Sequence, residues 1–343
     1  MEKYKLNFVE FYITNACNLG CENCNRLNNY FFAGAWKWND YKDVYAKWSE
    51  ILELDRITIL GGEPFLNPTL IDYVQGINKL WPNAPIGITT NGSYINKKNY
   101  YNIFKQCNVE LEISAHSRER HTLLQAEIYK YLKGSIEKTY IQKPNTEKEW
   151  VNVYNNIIRA ESWPTVESFK DWNKLPDYIK KECTTLHKIS PEQFVEATCE
   201  IKFVDENGSV ASLRYSENFF LAPLKYLGNN KFSVYNNEPE QAHKTCISKH
   251  CHHFIAGKLY KCHYMGLLPQ FLKQFHVEIS SQDLELLEAY VPATTDMNKQ
   301  KLDDFFNSIK STIPQCKLCP INPNTFPIKS VNTKPRLQKI TGK

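Results

Sequence analysis

Three cysteines lie within eight residues near the start of the chain, in the spacing Cys17-x3-Cys21-x2-Cys24. Cysteine thiolates hold iron–sulfur clusters, usually four to a cluster. A group of three would bind three irons of a cubane and leave the remaining iron with an open coordination position. The alternative is a zinc site completed by a distant ligand, because structural zinc takes four nitrogen or sulfur ligands. The spacing favours the cluster.

Two glycine-containing segments follow the triplet. In Gly61-Gly62-Glu63-Pro64, the glycines let a ligand approach the main chain closely, and the carboxylate suits an ammonium group. Thr89-Thr90-Asn91-Gly92 has the composition of a turn. Each segment is common in proteins without such a role, so neither identifies a function by itself.

A second group of cysteines lies near the other end of the chain. Cys246 is followed by ten residues and Gly257, and Cys262 comes after four more. The stretch from Gly257 is typical of a hairpin turn that presents Cys262. The other members of the group are Cys251, Cys316 and Cys319. The spacing permits either an iron–sulfur cluster or a four-cysteine zinc ribbon.

The elements that must position these residues alternate along the chain. Strands are predicted at 7–14, 56–60, 86–90 and 109–114, and helices at 40–52, 68–80 and 97–106. Such alternation predicts a parallel sheet, and ligands bind at the carboxyl edge of such sheets. Beyond residue 114 the pattern weakens. There we predict helices at 120–135 and 176–187, strands at 149–153, 200–204 and 210–215, and a hairpin turn at Asn207-Gly208.

In this order, the segments resemble the radical S-adenosylmethionine (SAM) enzyme superfamily, clearly over residues 7–116 and by inference to residue 205. Its signature is a Cys-x3-Cys-x2-Cys loop after the first strand, Gly-Gly-Glu after the second and, often, Thr-Asn-Gly after the third. A serine often follows the fourth strand, where this chain has Ser114. The residue before the third cysteine is usually aromatic and lies near the adenine. Here it is Asn23, so the adenine contact must differ.

The resemblance implies an α/β fold, namely a partial (β/α)6 TIM-like barrel with a smaller C-terminal cluster-binding domain. A [4Fe-4S] cluster on the triplet would bind SAM through its open iron. The expected cofactor contacts are Asn23, Gly61, Gly62, Glu63, Pro64, Asn91, Ser114 and His116. Reductive cleavage of SAM would give a 5′-deoxyadenosyl radical, which takes a hydrogen atom from the substrate.

The C-terminal cysteines resemble the twitch version of the SPASM extension found in some radical SAM enzymes. This implies an auxiliary [4Fe-4S] cluster held by four protein thiolates. The candidate metal ligands are Cys246, Cys251, Cys262, Cys316 and Cys319, of which Cys251 departs from the family spacing and is the expected spare. The expected domains are the barrel at 1–205, whose last strand would be 200–204, the cluster domain at 206–328 and a basic disordered tail at 329–343.

A closed auxiliary cluster is suited to accept an electron, so the expected reaction is dehydrogenation of a small polar substrate, with a flavodoxin or ferredoxin as electron donor. Epimerisation and peptide modification are the alternatives. Only sixteen residues precede Cys17, which argues against the leader-binding domain that peptide-modifying relatives often carry. A non-enzymatic iron–sulfur or zinc module would not need Gly61-Gly62-Glu63.

The composition argues against several other classes of protein. The chain has 343 residues, 42% hydrophobic and 23% charged, which is ordinary globular usage. No apolar run long enough for a membrane helix and no secretory signal is visible. The net charge of +5 arises wholly within 329–343, so we expect no nucleic-acid partner. Eleven cysteines without an export signal indicate metal ligation rather than disulfides, and a cytoplasmic location is expected.

Overall fold

The computed structural model describes residues 3–21, 24–30, 32–133, 137–140, 177, 201–215, 218–219, 224–228, 231–246, 248–321 and 326–327. Several predicted features lie outside these residues. They are Asn23, the strand at 149–153, nearly all of the helix at 176–187, and the tail at 329–343.

The strands of the first half follow the predicted positions closely. In chain order the strands are β1 (Tyr4–Leu6), β2 (Val9–Tyr12), β3 (Leu52–Leu54), β4 (Ile57–Leu60), β5 (Ile86–Thr90), β6 (Val109–Ala115), β7 (Glu137–Tyr140), β8 (Ile201–Val204), β9 (Val210–Tyr215), β10 (Asn218–Phe219), β11 (Leu224–Gly228), β12 (Lys231–Val234), β13 (His252–Ile255), β14 (Lys258–Tyr260) and β15 (Phe326–Pro327).

The helices alternate with the strands as the periodicity predicts. They are α1 (Trp38–Ile51), α2 (Leu70–Leu80), α3 (Tyr101–Gln106), α4 (Arg118–Tyr131), α5 (Pro239–Lys244), α6 (His263–Phe275), α7 (Ser281–Glu288) and α8 (Lys299–Ser308). Short 3-10 helices span Asn28–Tyr30, Pro64–Leu66 and Pro314–Leu318. α4 begins after Ser117, whose hydroxyl caps it by accepting from the main-chain N–H of Arg120 at 3.1 Å. No helix of the described residues is long and apolar enough to cross a membrane.

Among the described residues, the main sheet has nine strands in the order β14-β13-β2-β4-β5-β6-β9-β8-β7. The run from β13 through β2, β4, β5 and β6 to β9 is parallel throughout. This is the predicted α/β fold with a parallel sheet, and it is consistent with a partial barrel. The sheet takes strands from both sides of residue 205. The proposed domain boundaries stay predictions.

One predicted strand has a different role. We expected residues 200–204 to be the last strand of the barrel, but β8 pairs antiparallel with β9, and β9 is the strand that lies parallel to β6. The cause is the turn at Asn207-Gly208, where Gly208 has φ +76°. An Asn-Gly turn joins neighbouring strands as an antiparallel hairpin, so only one of its two arms can run parallel to β6, and that arm is β9.

The core lies on both faces of β2, the strand that leads into the cysteine triplet. All four of its residues are buried, as expected for a strand covered on both sides. Phe11 packs against Tyr45 of α1 and Phe254 of β13, with ring centroids 5.1 and 4.9 Å away. Tyr12 joins a second cluster that includes Phe271 of α6.

The hairpin of β13 and β14 leads directly to Cys262. Its two turn residues, Ala256 and Gly257, have φ +51° and +75°, as the central residues of a type I′ turn require. The Trp48 indole donates to the carbonyl of Gly257 at 2.9 Å and is fully buried, which ties the hairpin to α1. The predicted hairpin turn at Gly257 is confirmed.

Candidate functional site

The cysteine triplet follows β2 in a loop that hydrogen bonds hold at its base. The Asn67 amide donates to the carbonyls of Ile13 and Trp36 at 2.7 and 2.9 Å, and it is almost fully buried. Asn28 donates from its amide to the Asn15 carbonyl. These bonds fix the chain on both sides of the three cysteines.

The three thiols are close enough to affect one another. Burial, with a smaller contribution from the neighbouring Cys24, raises the pKa of Cys17 to about 12. Burial also raises the pKa of Cys21, again with contributions from the other two thiols. Thiolates placed together in a partly desolvated loop repel one another, and a bound cation removes that cost. The donor set therefore suits a metal centre.

Gly61 and Gly62 pack against the segment that enters this loop. Gly62 N–H donates to the Thr14 carbonyl at 2.7 Å, and Glu63 N–H donates to the Ala16 carbonyl at 2.8 Å. A Cβ on Gly61 would lie 2.4 Å from the Thr14 oxygen, and one on Gly62 would lie 2.4 Å from the Ala16 oxygen. The close approach that requires glycine is thus made by the chain itself. Pro64 then begins the short 3-10 helix.

Glu63 faces the protein interior. Its side chain is fully buried and accepts from the Thr90 hydroxyl at 2.7 Å, the Asn91 N–H at 2.9 Å and the Phe65 N–H at 3.2 Å. Burial raises the pKa of the carboxyl to about 7, although these hydrogen bonds oppose the rise. Glu63 therefore joins the Gly-Gly-Glu turn to the Thr-Asn-Gly turn.

Asn91 extends this connection to the cysteine loop. Its amide donates to the Asn18 side chain at 2.9 Å and lies 4.0 Å from Cys17 Sγ. Gly92 follows with φ +75°, which a glycine adopts at no steric cost. The structure thus brings Cys17, Glu63 and Asn91 together at the carboxyl edge of the sheet.

The other residues predicted to contact the cofactor are Ser114, His116 and Asn23. Ser114 is half-buried near the end of β6, one residue beyond the partner of Thr90, and half-buried His116 follows the strand. Both lie at the same edge as the turns. Asn23 lies outside the described residues. The roles of all these residues in binding a cofactor stay predictions.

Sequence reasoning missed Arg120. Its Nη2 atom donates to the Asn91 carbonyl at 3.2 Å and to Ser93 Oγ at 2.7 Å. Its Nε atom is buried and has no hydrogen-bond partner among the described residues. The available signal was a cation in the first turn of the helix that follows β6. The sequence pointed instead to His116 and Arg118, which are nearer the strand end.

Four of the five C-terminal cysteines line one pocket. Cys246 follows α5, Cys262 is the N-cap of α6, and Cys316 and Cys319 belong to the last 3-10 helix and its end. The Asn237 amide donates to the Cys319 carbonyl at 2.8 Å, which holds that segment in place. None of the cysteines in the described part of the chain forms a disulfide.

The lining of this pocket contains both buried thiols and a buried lysine. Burial raises the pKa of Cys262 to about 12, and Cys246 adds to the rise. Lys261 also lines the pocket and is only 4% exposed. Burial lowers the pKa of its ammonium group, while Cys316, Cys262 and Cys246 oppose the fall. The pocket combines four thiols with a buried cation.

Cys251 lies apart from that pocket, in a buried polar cluster with Glu10 and His253. Their possible ligand atoms all lie within 4.8 Å of one another. Arg26 already supplies a cation there, since its guanidinium contacts Glu10 Oε2 and His253 Nε2, each at 2.8 Å. Although burial opposes ionisation, Arg26 and His253 hold the pKa of Glu10 down to about 2. The geometry favours a salt-bridged cluster over a metal site.

This cluster, which sequence reasoning also missed, connects the two cysteine regions. Arg26 lies two residues beyond Cys24, and His253 lies two residues beyond Cys251. Arg26 also acts electrostatically on His263, the residue after Cys262. No local pattern signals the cluster, because its members are far apart in the sequence.

Comparison with known proteins identifies the N-terminal half of the site. Residues 11–158 match the family model of the radical SAM superfamily. The chain contains a radical SAM domain. The matched residues include the cysteine triplet, both glycine turns and Arg120. The C-terminal pocket lies outside the match.

A curated relative shares part of this radical SAM domain. GTP 3′,8-cyclase of Alkaliphilus oremlandii (strain OhILAs) is 30% identical over 96 residues, 26% of this chain and 28% of the relative. The match therefore spans less than a third of that enzyme.

Solved structures that contain S-adenosylmethionine give weaker likenesses. Streptococcus suis SuiB bound to S-adenosylmethionine has a TM-score of 0.42 at 12% identity, covering 94% of this chain and 72% of that chain. BtrN in complex with AdoMet and 2-DOIA has a TM-score of 0.28 at 22% identity, covering 34% of this chain and 48% of that chain. Because both TM-scores are below 0.5, these likenesses establish neither a shared overall fold nor a shared reaction.

Proposed function

We propose that this protein is a radical SAM enzyme that oxidises a small polar substrate and carries a second iron–sulfur cluster. The observation that carries the proposal is the connection of Cys17, Glu63 and Asn91 at one edge of the sheet, within the radical SAM domain. A module that only binds metal has no need of this connection.

Cys17, Cys21 and Cys24 would hold three irons of a [4Fe-4S] cluster, and their buried thiols fit that charge. When bound, the cluster and SAM supply a one-electron cleavage that produces the 5′-deoxyadenosyl radical. The protein's contribution is to orient the cofactor and exclude water. The loop is suited to this because hydrogen bonds from Asn28 and Asn67 fix its base.

The two turns would hold SAM. The Glu63 carboxylate accepts hydrogen bonds from Thr90, Asn91 and Phe65. Its main role would therefore be to fix the turns at which the cofactor's amino group would bind. Arg120 has a buried Nε atom with no partner among the described residues, and it lies against the Asn91 turn. A carboxylate is the natural ligand for such a group, because charge-assisted hydrogen bonds to guanidinium are strong.

The four-cysteine pocket would hold the auxiliary cluster. Cys246, Cys262, Cys316 and Cys319 offer a complete set of thiolates, so no iron would be left open for substrate. Such a centre suits electron transfer. The contacts of Arg26 with the segment after Cys251 bring the two cysteine regions together, which supports electron transfer between substrate and pocket.

Dehydrogenation is the reaction we propose, with a flavodoxin or ferredoxin as electron donor and the cytoplasm as location. Epimerisation and peptide modification remain the alternatives. They differ in outcome, since epimerisation returns a hydrogen atom to the substrate and needs no electron acceptor.

The test is an iron and sulfide count on protein purified and reconstituted without oxygen, with SAM cleavage measured on the same samples. We expect about eight irons per chain in the wild type and about four in the Cys17/Cys21/Cys24→Ala variant, since each cluster holds four. Only the wild type should form 5′-deoxyadenosine. Cys107→Ala, which removes a buried cysteine outside both sites, is the matched control.

Other outcomes contradict particular parts of the proposal. Iron at the triplet without SAM cleavage would point to a binding module. About four irons in the wild type and none in the variant would remove the auxiliary cluster and leave the C-terminal pocket to zinc. Dehydrogenation would then lose its electron acceptor, and epimerisation would be the better explanation.

A further inference from the structure

Lys261 is held rigidly in the wall of the four-cysteine pocket. Its ammonium group donates to the carbonyl of Ile309 at 2.5 Å, and its main-chain N–H donates to the Tyr290 hydroxyl at 2.8 Å. Only 4% of the residue is exposed. The position of its charge is therefore fixed relative to Cys262, the next residue.

No carboxylate of the described residues forms an ion pair with Lys261. Among the described residues, the exposed Glu240 is the carboxylate that acts on Cys316. The other basic groups of the lining are Lys249 and His243, both half-buried. A buried cation without a counter-ion is costly, and an anionic occupant of the pocket would remove that cost.

The start of α6 adds to the positive charge of the pocket lining. Cys262 is the N-cap of this thirteen-residue helix, and the main chain of Met265 acts to lower the pKa of its thiol, against the larger effect of burial. Helix N-termini carry a partial positive charge. Lys261 and the helix start thus both act electrostatically on the Cys262 thiol.

We propose that Lys261 raises the reduction potential of the auxiliary cluster, so that the pocket takes electrons from the substrate radical. The inference rests on the proposed function, because it requires that cluster. One-electron reduction makes an iron–sulfur centre more negative, and a fixed cation nearby stabilises the reduced form more than the oxidised form. In the proposed dehydrogenation, the auxiliary cluster would accept the one electron that the substrate radical gives up, and the proton would go to solvent.

The experiment measures the midpoint potential of the C-terminal cluster by potentiometric titration with electron paramagnetic resonance. The full chain carrying Cys17/Cys21/Cys24→Ala is the background, so that the other cluster does not contribute. Lys261→Met should lower the potential by about 59 mV or more, a tenfold change in a one-electron equilibrium. Lys261→Arg keeps the charge and should give a clearly smaller shift.

Lys249→Met is the matched control, since this lysine lines the same pocket but reaches solvent, which screens its charge. Its shift should be small. A Lys261→Met potential equal to that of the background protein, or to that of Lys249→Met, would overturn the inference. If Lys261→Met fails to retain iron, the comparison is made between Lys261→Gln and Lys261→Arg.

Failure of the proposed function gives a different result. The background protein would then contain zinc or no metal and would show no redox signal at all. An iron-loaded background protein with an unchanged potential in Lys261→Met would refute only the role of Lys261.

Discussion

Glu63 accepts a hydrogen bond from the main-chain N–H of Asn91 at 2.9 Å, which joins the turns after two neighbouring strands, β4 and β5. The same carboxylate accepts from the Thr90 hydroxyl. The Asn91 amide lies in turn beside Cys17 Sγ. A buried carboxylate thus fixes the distance between the Gly-Gly-Glu turn and the cysteine loop.

The burial of Glu63 predicts a pH-dependent stability. Its pKa rises from the ordinary 4.5 to about 7, so the folded protein favours the protonated carboxyl. The resulting stabilisation is complete below pH 4.5 and is lost as the pH rises through 7. We expect this group to lower the free energy of unfolding of the metal-free protein by roughly 3 kcal/mol over that range.

Urea denaturation at several pH values measures this dependence. Glu63→Gln cannot titrate and should lack that part of the pH dependence. Glu53→Gln, which changes an exposed glutamate, is the control and should behave as the wild type. Parallel pH profiles for wild type and Glu63→Gln would contradict the prediction.

Gly62→Ala should destabilise the protein and weaken iron binding. The new Cβ would lie 2.4 Å from the Ala16 carbonyl oxygen, so the segment that enters the cysteine loop must move. We expect a loss of about 2 kcal/mol or more in the free energy of unfolding, as for other overpacked sites. Urea denaturation and iron content are the measurements.

The control for that change is Gly208→Asn, at a hairpin turn with open space around the glycine. Asparagine tolerates the positive φ of this turn, so the loss should be small. Equal losses at the two positions would show that the contact with Ala16 is unimportant.

The features that could be predicted from the sequence are local ones. Cys17, Gly61 and Asn91 each follow a short apolar run, and strand ends in a parallel sheet meet at one edge. The Gly257 turn carries its own signal in a residue suited to positive φ. These features depend on few neighbouring residues, so one sequence is enough to find them.

The features that escaped prediction depend on partners distant in the sequence. The contact of Arg26 with His253 joins residues 227 positions apart. The direction of β8 in the sheet depends on its pairing with β9. The apolar pattern of β8 alone does not indicate that pairing. The close packing of Gly61 against the main chain of Thr14 is another such feature, because the two residues are far apart in the sequence.

Arg120→Met should weaken SAM binding by tenfold or more. A charged hydrogen bond to a carboxylate contributes about 1.5–3 kcal/mol, and about 1.4 kcal/mol corresponds to a factor of ten. The Arg120 guanidinium lies against Asn91 and Ser93, beside the cysteine loop. Equilibrium dialysis with labelled SAM, on iron-loaded protein, measures the change.

The control is Lys97→Met, which removes an exposed cation near Ser93 in the sequence and should leave the affinity for SAM unchanged. Equal affinities of Arg120→Met and wild type would exclude this contact.

Cys251→Ser should leave the iron content unchanged, whereas Cys246→Ser should remove C-terminal iron. Cys246 lines the four-cysteine pocket, while Cys251 contacts Glu10 in a cluster whose cation is Arg26. Both changes replace one sulfur by one oxygen, so each is the other's control. Iron counts are made in the Cys17/Cys21/Cys24→Ala background, where only the pocket contributes. If Cys251→Ser also lost this iron, then Cys251 would be a ligand and the pocket would have to rearrange on binding metal.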